Sequence, residues 1–143
     1  MLRGQDPYYI TFDVDNGLPS SEIYDIVSDT NNNIWISTDR GISMYDGASF
    51  ELFNTNNGLA QNVNFYFNKD KSGKIWILGA NNSISYIRNN SIYPYEHNQE
   101  VGDVIDKTKT AHWIKYLDTY AERPYFMTFQ NYSGVEYLSL IHI

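Results

Sequence analysis

Cysteine is absent from the 143 residues. That excludes disulfides, thiolate nucleophiles and cysteine-ligated zinc, and it fits either the bacterial periplasm or the cytosol. There is no continuous apolar run long enough to span a bilayer, and Met1-Leu2-Arg3-Gly4 does not open a charged-then-apolar leader. This segment is therefore expected to be soluble, to make no membrane contact and to carry no export signal. Lysine and arginine number 10 against 17 aspartates and glutamates, for a formal net charge of −7, and the basic residues form no cluster. Affinity for a phosphate backbone comes from clustered cations, so nucleic acid is excluded as a partner. No Gly-x-Ser-x-Gly elbow and no phosphate-cradling glycine loop occurs. His97, His112 and His142 have no helical-spacing partner and no adjoining carboxylate pattern. No catalytic residue, metal or cofactor is expected.

What the chain does contain is a repeat. Phe12, Asn16-Gly17-Leu18, Asp29 and Ile34-Trp35-Ile36 return as Phe53, Asn57-Gly58-Leu59, Asp70 and Ile75-Trp76-Ile77. Beyond Trp76 the register slips by one, so that Ile42-Ser43 matches Ile84-Ser85 and Phe50 and Phe53 match Ile92 and Tyr95. A period of about 40 residues built from short apolar runs and turn residues belongs to propeller blades, whereas helical repeats of that length need long stretches of 3.6 periodicity. Tyrosine, phenylalanine and tryptophan make up 16% of the chain, which also favours strands. The expected fold is all-β: a β-propeller section of four-stranded antiparallel blades. Propellers close with about four to eight blades, so about two blades and part of a third form an open piece of a larger ring.

The strands are expected at 8–12, 23–27, 33–37, 42–45 and 50–53, then 63–68, 74–78, 84–87 and 91–95. Their links carry turn chemistry: Thr30-Asn31-Asn32, Asp39-Arg40-Gly41, Asp46-Gly47, Lys71-Ser72-Gly73, Asn81-Asn82 and Asn89-Asn90. Residues 1–12 form an N-terminal strand that would complete the last blade of a ring as a clasp. Residues 13–53 form the first blade and 54–95 the second. Residues 96–143 form a divergent or incomplete third, with strands at 125–129 and 135–140. The closing Leu138-Ser139-Leu140-Ile141-His142-Ile143 resembles translated adapter sequence, and nothing is built on it.

Recurrence at the repeat period is what structural residues do. Trp35 and Trp76, each between isoleucines, are expected as core wedges between blades rather than as sugar platforms, with Ile34, Ile36, Ile75, Ile77, Phe50 and Phe53 around them. Asp29 and Asp70 are expected to cap their own turns. Asp13-Val14-Asp15-Asn16-Gly17 has the look of a calcium loop, but the twelfth position is Tyr24 rather than glutamate, and the second copy, Asn54-Thr55-Asn56-Asn57-Gly58, lacks any carboxylate.

The pattern Asn16-Gly17-Leu18-Pro19-Ser20-Ser21, Ile26, Asp29, Asn33-Ile34-Trp35-Ile36-Ser37-Thr38, Gly41-Ile42, Tyr45-Asp46-Gly47 and Phe50 resembles the two-component regulator propeller repeat. The second copy departs at Ala60, Asn64, Leu78-Gly79-Ala80 and Arg88-Asn89-Asn90. The resemblance implies a non-catalytic sensory input region, periplasmic, of a bacterial histidine kinase or hybrid two-component protein. Its implied partners are the remaining blades, downstream kinase modules, and a glycan or other small signal. A propeller lyase or glycosidase, and a plain interaction scaffold, are the competing readings. In a blade, the link into the inner strand and the link between strands two and three open on one face. That face would gather Ser20, Ser21, Glu22, Asp39, Arg40, Gln61, Asn62, Asn81 and Asn82 for a hydroxyl-rich ligand or partner rim. Arg40 is the residue expected to orient an anionic group such as a uronate.

Overall fold

A computed structural model describes the backbone of residues 8–108, 112–120, 123–132 and 135–142, and the side chains of residues 8–103. The first sheet runs β1 (Ile23–Ser28), β2 (Ile34–Thr38), β3 (Gly41–Tyr45) and β4 (Phe50–Phe53) in sequential antiparallel order. The second repeats the plan with β5 (Asn64–Lys69), β6 (Ile75–Gly79), β7 (Ile84–Arg88) and β8 (Ser91–Pro94). These are two consecutive propeller blades. The inner strands lie side by side, with β5 against β1 and β2.

The two sheets pack face to face. Trp35, Ile42, Met44 and Phe53 of the first blade form one buried cluster with Ile75, Ile77, Ile87 and Ile92 of the second. The register explains the division. Trp35 pairs with Met44, and Ile42 with Phe53, so all four share one face of the first sheet. The interior strand β6 is buried along nearly its whole length because it is covered on both faces. Trp35 is 0% exposed and Trp76 1%. Removing either ring would cost about 3–5 kcal/mol.

Each tryptophan is tied to the aspartate six residues before it. Trp35 Nε1 donates to Asp29 Oδ2 at 2.9 Å, and Trp76 Nε1 to Asp70 Oδ2 at 3.0 Å. The same carboxylates close their own turns. Asp29 accepts from the backbone N–H of Asn31 and Asn33 and from Asn33 Nδ2, while Asp70 accepts from Ser72 and from the backbone of Lys74. One side chain therefore satisfies the turn and the buried indole together.

The links into each blade are built alike. Asp13 Oδ1 accepts from the N–H groups of Asp15 and Asn16, and Asn16 Oδ1 accepts from Asp13 N–H, a reciprocal capping box. In the second copy Asn54 and Asn57 make the same exchange with amides. The position needs an acceptor rather than a charge, so the calcium-like spacing is a turn signature. Leu18 and Leu59 follow these turns, both buried, and Leu59 completes the cluster around Trp35. Past the link, Ala60 N–H donates to Ser85 Oγ at 2.9 Å. The first-blade counterparts are Pro19 and Ser43. Proline has no N–H, and Ser43 Oγ is buried without a partner.

Two expectations need correction. Residues 8–12 form no strand: Tyr8, Tyr9 and Ile10 are exposed, and Phe12 alone is anchored, its ring 5.0 Å from Tyr45 and 5.3 Å from Phe50. No described strand runs beside them to supply a ladder. Ile34 is 39% exposed, because its face of the first sheet has no blade against it, whereas its counterpart Ile75 is 2% exposed under the first blade. Beyond the second blade a helix, α1 (Asn98–Thr108), precedes the three-stranded sheet β9 (His112–Tyr120), β10 (Arg123–Tyr132) and β11 (Val135–His142), and the strands expected at 125–129 and 135–140 lie within β10 and β11. Val101 of α1 stands 42 residues after Leu59 and is buried with Trp76, Ile84 and Tyr95. The third copy has exchanged its turn for a helix and kept the apolar plug.

Three outcomes follow for the stability of the chain. Gly58 and Gly47 both have positive φ, but a side chain at Gly58 would strike the carbonyl of Ile92, while Gly47 has open space around it. In urea unfolding, Gly47→Ala should cost about 1 kcal/mol, and Gly58→Ala clearly more. Ser85→Ala should cost about 1 kcal/mol for the lost bond, and Ser43→Ala close to nothing. For Asp29, burial pushes the carboxyl up, but the bonds from Trp35, Asn33 and Asn31 outweigh it and leave the group below its ordinary 3.8. A depressed folded value gives stability that is complete above the ordinary value and lost as pH falls through the folded one. Acid unfolding followed by tryptophan fluorescence should therefore steepen below about pH 4, and Asp29→Asn should flatten it.

Candidate functional site

Pairing of Ile23 with Thr38, and of Asn64 with Gly79, puts the start of each inner strand beside the end of the second strand. The entering links and the β2–β3 and β6–β7 loops thus share one face. Ser28 pairing with Ile34, and Lys69 with Ile75, sends the Asp29 and Asp70 turns, with Lys71, to the other.

On the first face the nine expected residues fall into two groups. In the first blade, Ser20 is buried and its Oγ accepts from Glu22 N–H at 3.0 Å. Glu22 Oε2 accepts from Tyr24 OH at 3.1 Å. Arg40 Nε lies 3.9 Å from Asp39 Oδ2, with 72% of the Arg40 side chain exposed. Thr38 Oγ1 holds this loop, accepting from Arg40 N–H and donating to the Gly41 carbonyl. Ser21 is exposed beside them. The hydrogen bond to Glu22 is the main reason the Tyr24 hydroxyl lies above its ordinary value, and burial and the charges of Glu22 and Asp39 push the same way.

In the second blade the polar groups are engaged in holding the link. Gln61 Oε1 accepts from Asn62 N–H, Asn62 Oδ1 accepts from Thr55 N–H, and buried Asn64 donates to the carbonyls of both Gln61 and Asn62. Asn81 and Asn82 have positive φ and serve the turn, anchored where Ala80 N–H meets the Val63 carbonyl. Gln61 and Asn62 brace the link. Glu22, Asp39 and Arg40 are the charged groups that the start of β1 and the β2–β3 loop bring to this face.

Three aromatic residues belong beside them and were not singled out from sequence. The ladder between β1 and β2 shifts register around Tyr24, and that between β5 and β6 around Phe65. Such bulges re-aim the extra side chain. The two rings meet across the blade boundary at 5.3 Å, and Phe65 continues to Tyr66 at 6.4 Å. Their spacing of 41 residues, equal to that of the repeat, was the available signal. Lower on the inner strands Asp25 Oδ2 accepts from Phe67 N–H at 2.7 Å and joins the blades.

The opposite face has a cleft of about 250 Å3 between Asp29, Asn31, Gly73, Asn89 and Asn90, floored by Ile75 and Ile87. Asp29 is consumed by its turn and by Trp35, and Asn33 Nδ2 spans to Asn90 Oδ1 at 3.2 Å. Among the described residues, no three histidine, aspartate or glutamate side chains come together as a metal would require, and no helix is long and apolar enough to cross a membrane.

Comparison with curated protein sequences finds no match. Among solved structures, the chain is similar to the extracellular domain of B. thetaiotaomicron BT4673, described once as a one-component and once as a hybrid two-component system. Identity is 15% in both cases, with TM-scores of 0.37 and 0.38. The matches cover 88% of this chain and 24% and 25% of those chains, so it spans about a quarter of their length. The two-component regulator propeller model matches residues 17–40, which run from the Gly17 turn through β1 and β2 to Arg40. Over those residues the chain is similar to a two-component regulator propeller repeat.

Proposed function

We propose that this chain is part of the sensory input propeller of a bacterial two-component signal-transduction protein, non-catalytic in itself. The observation that carries the reading is the family match at 17–40, which falls on a segment folded as half of a propeller blade, with the same plan repeated in the next. Further blades of the ring and kinase modules elsewhere in the parent protein are its partners. A periplasmic location goes with this role. The face bearing Glu22, Asp39 and Arg40 is the sensing face, because its charged side chains reach solvent while the polar groups of the opposite cleft are engaged in turns and in the blade seam.

The reading is checked by signalling in the full-length receptor. Arg40→Ala should lower the response to the native stimulus by tenfold or more, and Lys71→Ala on the opposite face should leave it within twofold. Equal responses from the two variants would remove this face from the sensing role.

A further inference from the structure

We infer that the rim around Tyr24 binds a small organic ammonium ion, held against the Tyr24 and Phe65 rings with Glu22 and Asp39 as counter-charges. This rests on the reading of that face as the sensing one and names its ligand class.

The aromatic part comes from the bulges. Both inner strands place their extra residue at the same point, and both extra residues are aromatic. Tyr24 is 41% exposed and Tyr66 54%, on either side of half-buried Phe65. Faces of such rings attract cations through their quadrupole and repel anions.

The charged part does not recur. Where the first blade has Glu22, Asp39 and Arg40, the second has Val63 and the uncharged loop Ala80-Asn81-Asn82. The features a blade needs in order to fold, such as the aspartate–tryptophan pair, the capping box and the apolar plug, appear in both copies. Glu22 and Asp39 are thus dispensable to the blade plan, and a role outside it accounts for them.

The balance of charge selects the sign of the ligand. Two carboxylates stand against one guanidinium, and that guanidinium leans on Asp39 Oδ2, leaving Asp39 Oδ1 buried with no hydrogen-bond partner. A uronate would meet both carboxylates and the negative faces of the rings. The expectation that Arg40 orients an anion therefore gives way to one in which Arg40 orders Asp39.

Calorimetric titration of the full-length receptor with choline, glucuronate and trilysine tests this. Choline should bind saturably and glucuronate should not. The isosteric double variant Glu22→Gln, Asp39→Asn should weaken choline at least tenfold, as should Tyr24→Leu, which leaves both carboxylates in place; Lys71→Ala should bind as wild type. Absence of saturable choline binding, wild-type affinity in either altered rim, or tighter binding of glucuronate would overturn the proposal. Binding of trilysine alone would assign the cation to a partner protein and overturn the small-molecule ligand. A receptor that ignores choline yet loses its response in Arg40→Ala would refute the ammonium ion while leaving the sensing face intact.

Discussion

The structure depends on a buried indole N–H that has one acceptor. Trp35 and Trp76 fill the space between sheets, where an unpaired donor would cost about 1–3 kcal/mol, and each finds the carboxylate of the aspartate at the turn just before its strand. Because that aspartate also receives the turn's backbone N–H groups, the turn geometry and the orientation of the core ring are one interaction. Asp29 and Asp70 thus act beyond their own turns. A tryptophan alone at this position would still be buried, but its ring would have no reason to adopt one orientation against the facing blade.

Blade stacking then follows from which face is left apolar. The second blade's Ile75, Ile77, Ile87 and Ile92 are covered because the first blade presents Trp35 and its neighbours to them. The equivalent surface of the first blade carries Ile34 and Leu52 in the open, with Phe12, Tyr45 and Phe50 clustered at its edge. The plug residues finish each seam, and their spacing persists into Val101 after the turn that carried Leu59 has been replaced by a helix. What persists is the apolar residue over the tryptophan; the backbone that delivers it is free to vary.

Departures from the repeat carry as much information as the repeat. Pro19 in place of Ala60 removes a donor and leaves Ser43 Oγ unpaired, a small cost that the first blade tolerates. Glu22, Asp39 and Arg40 in place of neutral residues put three charges on one rim. The first of these departures is a defect in a bond, and the second is an addition with no counterpart in the second blade.

Sequence alone determined the eight blade strands, their order and the recurrence of the tryptophans, because a period near 41 imposes one hydrogen-bonding plan on both copies, and the left-handed asparagines sit where turn chemistry placed them. It also put the candidate residues on one face, since blade topology dictates which loops share an end. The helix at Asn98–Thr108 was partly legible in Val101, Val104 and Ile105 at helical spacing, a signal too short to outweigh an expected third copy. Only the tertiary structure decided that Gln61 and Asn62 brace their link while Arg40 faces solvent, and that Tyr24 and Phe65 meet across the blade boundary. Those outcomes depend on where hydrogen-bond partners lie once two sheets are stacked, and on bulges that re-aim single side chains. A linear pattern holds neither the distance between neighbouring blades nor the direction of a bulged residue.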